Sequence, residues 1–235
     1  RARLSGSGHI RGEEILPDSF NLETEERGFG THVRMAMEGR RITNLIAVPS
    51  LAQATDRVPI TPRHKTDIVD PLGAFLVPVS RKGPISGRVA CDRRIKVFDG
   101  WTRFDVELFF KGMKAVDGGS DTYAGRIVVC GARYVPVAGH RSEADSLNDL
   151  VDNDRLEVWL APIEHTSVLV PFRIVIGTRW GDLSVHATRF STTATEERAA
   201  LRWVTPAIPV IHTCPDRRLP LFGHNSTREG CAVLR

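Results

Sequence analysis

The chain has 235 residues and a mass of 26.0 kDa, a length that fits one large domain or one domain with appendages. With 41% hydrophobic and 26% charged residues, its composition excludes a wholly disordered chain. No apolar run approaches the length of a membrane-spanning helix. The net charge is +4, but 27 of the 32 basic residues are Arg, scattered among acidic residues. We attribute this to codon bias and expect no nucleic-acid partner, which would need a basic stripe with stacking aromatics.

The predicted elements are mainly β-strands, because apolar and polar residues alternate with a period of two. Residues 31–37 and 42–48 are the first such segments, with a turn at Gly39 and Arg40 between them. A short helix is expected next, since Asp70 can cap a helix that Pro71 opens. Three apolar residues would share the face that packs on the sheet: Leu72, Phe75 and Leu76.

The clearest strand covers residues 101–113. Its apolar face carries Phe104, Val106, Leu108 and Phe110, and its polar face carries Arg103, Asp105, Glu107 and Lys111. Only Phe109 breaks the alternation. Residues 123–137 are apolar on both faces, which is typical of a central strand.

The later strands follow the same pattern. Residues 156–160 alternate, and residues 183–187 follow a predicted hairpin turn at 177–181. Between them one face would carry Val168, Val170, Phe172, Ile174 and Ile176. About seven to nine strands without strand–helix repeats predict a mostly-β fold, a curved antiparallel sheet closing toward a half-barrel or barrel, with a short packed helix.

Two regions are predicted. Residues 1–190 form the β domain, and residues 191–235 a helix followed by a proline-rich, poorly ordered tail. Further helices are expected at 142–150 and 193–203. The chain starts at Arg1 without a Met or a leader, so we expect a domain that lacks its N-terminal strands.

The four cysteines form no C-x-x-C pair, and we expect neither a metal site nor a cofactor. Cys91 and Cys130 flank the most strand-like region. They fit either a disulfide in an oxidising compartment or two separate buried thiols.

Four runs of the sequence resemble a bacterial domain of unknown function, DUF3108, most closely its alphaproteobacterial members. They are VDPL at 69–72, FDG at 98–100, YVPVAGHR at 134–141 and EVWLAP at 157–162. The similarity includes their spacing and covers residues 4–190. It implies an exported protein of the periplasm or cell envelope, and with it a Cys91–Cys130 disulfide. It implies no reaction, so no catalytic residues follow from it.

The candidate enzymatic site is the group of Tyr134, His140 and Arg141. A His beside an Arg at a strand end can act as a general base with an oxyanion partner, oriented by a carboxylate such as Asp99 or Asp105. A hydrolase-like activity would follow. The alternative is a turn in which these residues bond to the backbone.

A binding function is the second possibility, since a curved antiparallel sheet can enclose one small ligand. A lipid or another hydrophobic molecule would contact Phe104, Leu108, Phe110, Val158, Leu160, Phe172 and Ile174. The helix at Pro71 would act as a lid. The same residues would otherwise form a filled core.

A third possibility is an envelope assembly or interaction factor, with Trp101, Trp159 and Trp180 as anchors for a protein partner. Of the three classes we favour a non-enzymatic envelope protein that binds a hydrophobic ligand.

Overall fold

The computed structural model describes most of residues 2–187 and four residues beyond them. The described residues are 2–26, 29–51, 54–80, 87–117, 123–141, 145–178, 181–187, 211–212 and 233–234.

Antiparallel strands make up most of the described structure. They are β1 (Ala2–Arg11), β2 (Glu14–Glu26), β3 (Phe29–Glu38), β4 (Arg41–Val48), β5 (Val77–Pro78), β6 (Arg93–Phe98), β7 (Arg103–Val116), β8 (Gly125–Ala138), β9 (Leu156–Pro162), β10 (Val168–Thr178), β11 (Gly181–His186), β12 (Ile211–His212) and β13 (Val233–Leu234). Two short helices accompany them, α1 (Gly87–Cys91) and α2 (Asp145–Val151). The predicted mostly-β half-barrel is confirmed.

The strands form two main sheets. The small sheet has the order β1-β2-β3-β4, and the large sheet has the order β11-β10-β9-β8-β7-β6, with β5 pairing to β10. The strands β12 and β13 pair with each other. Except for β5, consecutive strands are neighbours in both main sheets, as expected for meanders.

A short extended segment joins the two sheets. Ile68 donates its backbone N–H to the carbonyl oxygen of Arg40 in the β3–β4 turn, at 3.1 Å. The next residue, Val69, forms a parallel bridge with Val97 of β6. This segment therefore ties the β3–β4 hairpin of the small sheet to the β6 edge of the large sheet.

Two large hydrophobic clusters underlie the sheets, and a third, formed by Ile15, Val69 and Val97, joins β2 of the small sheet to β6 of the large sheet. Under the large sheet lie Val77, Val79, Ala90, Cys91, Leu108, Val128, Cys130, Leu160 and Leu169. Under the small sheet lie Phe20, Val33, Met35, Met37, Ile68 and Phe98. Both clusters draw on alternate residues of several strands, which is the packing that a period of two dictates.

The prediction that alternate residues from Val168 to Ile176 share one face of β10 is wrong, because the strand contains a bulge between Pro171 and Arg173. Pro171 and Ile174 lie opposite residues of β9 that share one face, so Phe172 is the extra residue of the bulge. Val168 and Val170 therefore face away from the side that Ile174 presents. A one-residue insertion reverses the phase of every position before it.

The prediction of a helix after Pro71 is also wrong. The Asp70 carboxylate does accept hydrogen bonds from the backbone N–H groups of Leu72 and Gly73, at 2.9 and 3.0 Å. Only one 3₁₀ turn follows, Gly73–Phe75, and Phe75 is 46% exposed. The chain must return to extended backbone at once, because β5 pairs with β10 at Val77.

The expectation of a helix at 142–150 is confirmed at the residues of α2. The helix predicted at 193–203 lies outside the described residues.

The polar face predicted for β7 is in part buried, since Arg103 is 6% and Asp105 is 2% exposed.

Candidate functional site

An apolar row crosses five strands of the large sheet. The register places Phe110 opposite Cys130, Cys130 opposite Val158, Val158 opposite Ile174 and Ile174 opposite Val185. Residues directly opposite each other share a face of the sheet. Two of the predicted ligand residues, Val158 and Ile174, thus lie side by side, and a third, Phe110, lies in the same row beyond Cys130.

Part of this face belongs to the protein's own core. Leu108 and Leu160 are 8% and 1% exposed and pack with α1 and β5. Phe110 lies against Gly87, the first residue of α1. The predicted ligand residues at this end of the face therefore contact protein atoms.

The other end of the face is more open. Five aliphatic residues of β9, β10 and β11 share the face and are each only partly buried: Val158, Ile174, Ile176, Leu183 and Val185. We call this set the β9–β11 apolar face. It carries no charged side chain, and it adjoins the filled core at Leu160 along β9.

The two remaining predicted ligand residues lie apart from this face. Phe104 packs its ring on that of Tyr134, with 5.0 Å between the ring centroids. Phe172, at the bulge of β10, makes an edge contact with the ring of Tyr123 at 6.5 Å. Both are partly buried. Each contacts an aromatic neighbour, and neither belongs to the apolar row.

On the opposite face of the large sheet, Trp159 lies between two cations. The Nζ atom of Lys114 is 4.1 Å from the centre of its ring, and the guanidinium carbon of Arg173 is 4.8 Å from it. The indole N–H donates to Glu157, which also pairs with Lys111 at 2.6 Å. Burial alone would raise the pKa of Glu157. The hydrogen bonds from Lys111 and Trp159 outweigh this effect, so the pKa of Glu157 lies below its usual value.

The other two predicted tryptophan anchors differ from Trp159. Trp101 is partly buried, and its indole N–H donates to the carbonyl oxygen of Pro49 at 2.9 Å. Trp180 lies outside the described residues.

The residues of the predicted hydrolase-like site are held by separate contacts. Arg141 is on the surface and pairs with Asp56 at 2.7 Å. The carbonyl oxygen of His140 accepts the backbone N–H of Val58, and its Nδ1 atom has no hydrogen-bond partner among the described residues. Tyr134 contacts Phe104, and burial raises the pKa of its hydroxyl. No hydrogen bond within the described part of the chain joins these three residues, so the hydrolase-like activity stays a prediction.

The two carboxylates suggested as partners of His140 bond elsewhere. Asp99 accepts hydrogen bonds from the backbone N–H groups of Trp101 and Thr102, at 2.8 and 2.6 Å, and closes the β6–β7 turn. Asp105 pairs with Arg94 and Arg103. Both carboxylates therefore have structural partners.

An open groove of about 500 Å³ lies where β6, β7 and β8 run together. Its lining residues are Asp92, Arg93, Arg94, Glu107, Leu108, Phe109 and Arg133. Glu107 lies between Arg94 and Arg133, at 3.1 and 3.5 Å. The acidic residues offset most of the charge of the three arginines. The groove was not predicted from the sequence, although Arg94, Glu107 and Arg133 fall at matching positions of neighbouring strands.

A disulfide joins Cys91 of α1 to Cys130 of β8, with a Cα–Cα distance of 5.5 Å. Both cysteines are fully buried. The pairing that the family resemblance implied is confirmed, and it fastens α1 to the centre of the large sheet. Across the described ranges, no group of His, Cys, Asp and Glu side chains could hold a metal ion.

A family model described as "Protein of unknown function (DUF3108)" matches residues 2–188. The chain belongs to this family. The DUF3108 match covers nearly the same residues as the resemblance seen in the four sequence runs. Searches of the curated proteins and of the solved structures returned no match. Of the helices described in this DUF3108 protein, none has the length and apolar character needed to cross a membrane.

Proposed function

We propose that this DUF3108 protein is a non-enzymatic protein of the periplasm or cell envelope that binds a hydrophobic ligand, such as a lipid acyl chain, on its β9–β11 apolar face. The observation that carries the proposal is the uncharged set of five partly buried aliphatic residues in neighbouring strands. A contiguous apolar surface that keeps part of its area accessible can serve as an interaction site.

The chemistry of the face suits an extended hydrocarbon. Each methylene group removed from water contributes about 0.8 kcal/mol, and aliphatic side chains offer no hydrogen bonds that would select a polar ligand. The opposite face of the same strands carries Arg173 and Glu157 beside Trp159, and its apolar residues Val168 and Val175 are buried. A ligand would therefore contact one side of the sheet only.

The compartment is part of the proposal. A structural disulfide is stable where thiols are oxidised, as in the periplasm, and Cys91 and Cys130 form one. The family resemblance implies export as well. Alkylation under denaturing conditions, after acid quenching of intact cells, tests this point, because an exported protein should have Cys91 and Cys130 resistant to alkylation until a reductant is added.

Two neighbouring residues of β11 give a matched test of the ligand site. Val185 belongs to the apolar face, whereas His186 is exposed and points to the other face. In a titration with a fluorescent polyene fatty acid, Val185→Asp should weaken binding at least about tenfold, since it places a charge against the hydrocarbon chain of the fatty acid. His186→Asp should bind as the unaltered protein does. Equal binding by both variants, or no binding by the unaltered protein, would refute the site.

A further inference from the structure

The two main sheets end in four edge strands, and three of them are protected. β1 has charged residues, Arg3 and Arg11, near its two ends. β6 is bridged by Val69, and β11 has only six residues and contacts β12. Bulges, charges, short length and covering segments are the devices by which natural sheets prevent edge pairing.

The fourth edge, β4, is protected only near its start, where Thr43 is the extra residue of a bulge against β3. Its one charged residue is Arg41, which Thr66 bridges at the start of the strand. Beyond Arg41, no strand in the described part of the chain pairs with the outer edge of β4. Ile46 and Val48 are 47% and 42% exposed and are two of the most exposed large hydrophobic residues that the structure describes.

The exposed side chains lie on the solvent face of the small sheet. Leu45 and Ala47 pack toward the core cluster of that sheet. Ile46 and Val48 therefore point outward, because successive residues of a strand alternate between its faces. The edge presents both unpaired backbone groups and an apolar outer strip.

We propose that the β4 edge binds the β4 edge of a second copy of this chain, in antiparallel orientation, to form a continuous eight-stranded sheet. The charge pattern favours a second copy: antiparallel pairing places the two Arg41 side chains at opposite ends, and the rest of the strand is uncharged. A two-fold axis at Ile46 brings the two Ile46 side chains together and sets each Val48 beside Asn44 of the other copy. Such self-complementarity is what a two-fold interface requires.

A single pair of edge strands buries less area than the ~1,200–2,000 Å² of a stable interface. The dimer should therefore be weak and should form as the concentration rises. Sedimentation velocity over a concentration series should show the average mass rising from that of one chain toward that of two.

Ile46→Lys should shift this transition to at least about tenfold higher concentration, since it places two like charges together across the axis. Val89→Lys is the matched control, because Val89 is 52% exposed on α1 and should leave the transition unchanged. Ile46→Cys should also form a covalent dimer on oxidation, while Val89→Cys should not. A chain that stays monomeric at all concentrations, as expected if a strand of another protein occupies this edge, would overturn the proposal. So would an unchanged transition in Ile46→Lys.

Discussion

Gly139 lies so close to Trp101 that a Cβ at Gly139 would overlap the carbonyl oxygen of Trp101. The φ angle of Gly139 is also +83°, in the left-handed region. Gly139→Ala should therefore lower the free energy of unfolding by more than about 2 kcal/mol. Gly39→Ala is the control, because Gly39 has a φ of +52° and no neighbour within 4 Å of its Cβ position. Chemical denaturation should give about 1 kcal/mol for the control, and equal losses would contradict the close approach.

The disulfide closes a loop of 39 residues. By the loop-entropy relation its removal should cost about 4 kcal/mol. The variant Cys91→Ala/Cys130→Ala should unfold at correspondingly lower denaturant concentration. Reductant should destabilise the unaltered protein and leave this variant unchanged. A reductant effect of equal size in both proteins would contradict the assigned pairing.

Asp70 is 3% exposed, and among the described residues its carboxylate has no cationic hydrogen-bond partner. Burial raises its pKa, although the N–H groups of Gly73 and Leu72 oppose the change. The pKa of Asp70 is therefore higher in the folded protein than in the unfolded chain. The stabilising contribution of Asp70 to the free energy of unfolding is complete at acidic pH and is lost as the pH rises through the folded pKa. Asp70→Asn keeps the acceptor oxygen and removes the charge, so it should be more stable than the unaltered protein at neutral pH.

This advantage of Asp70→Asn should shrink as the pH falls, and denaturation at several pH values measures it. Asp70→Ala is the control for the turn, since it removes the acceptor and should cost about 0.5–2 kcal/mol. An Asp70→Asn protein that is less stable at neutral pH would contradict the burial effect.

Asp105 and Glu107 lie on the same face of β7 but differ in burial. Their side chains are 3% and 31% exposed, and both pair with Arg94. Asp105→Ala leaves the buried Arg103 without its partner, which should cost about 3–5 kcal/mol. Glu107→Ala should cost less than about 1 kcal/mol. Equal losses in thermal or chemical unfolding would show that Arg103 does not depend on Asp105.

Much of the fold could be predicted from alternation alone. The pattern in residues 101–113 predicted β7, and the apolar run at 123–137 predicted a central strand, which is β8. The strands β1 and β2 were not predicted. Gly6 and Gly8 interrupt β1, and Asp18 is the extra residue of a bulge that shifts the alternation in β2, so a periodic pattern is weak in both strands.

Phe109 shows why the pattern fails locally. Its ring lies over Gly131, the residue directly opposite on β8. Because glycine has no side chain, an aromatic ring of the neighbouring strand can cover its backbone. Phe109 can therefore occupy the polar face. This pairing connects residues 22 positions apart, and no local pattern contains it.

The candidate site was predictable only in part. Phe110, Val158 and Ile174 came together because strand register aligns them, whereas Phe172 was displaced by the bulge of β10. Leu108 and Leu160 were absorbed into the core by α1, a helix of five residues. Such a helix is too short for a periodic signal, so its packing was not foreseeable.

Native mass spectrometry of the protein purified from its own cells, without a denaturing or delipidating step, tests the ligand proposal most directly. We expect a population whose mass exceeds that of the chain by one lipid or acyl chain, and we expect Val185→Asp to lose that population while His186→Asp keeps it. A protein that carries no such adduct, and that gains none when phospholipid or fatty acid is supplied, would contradict the account.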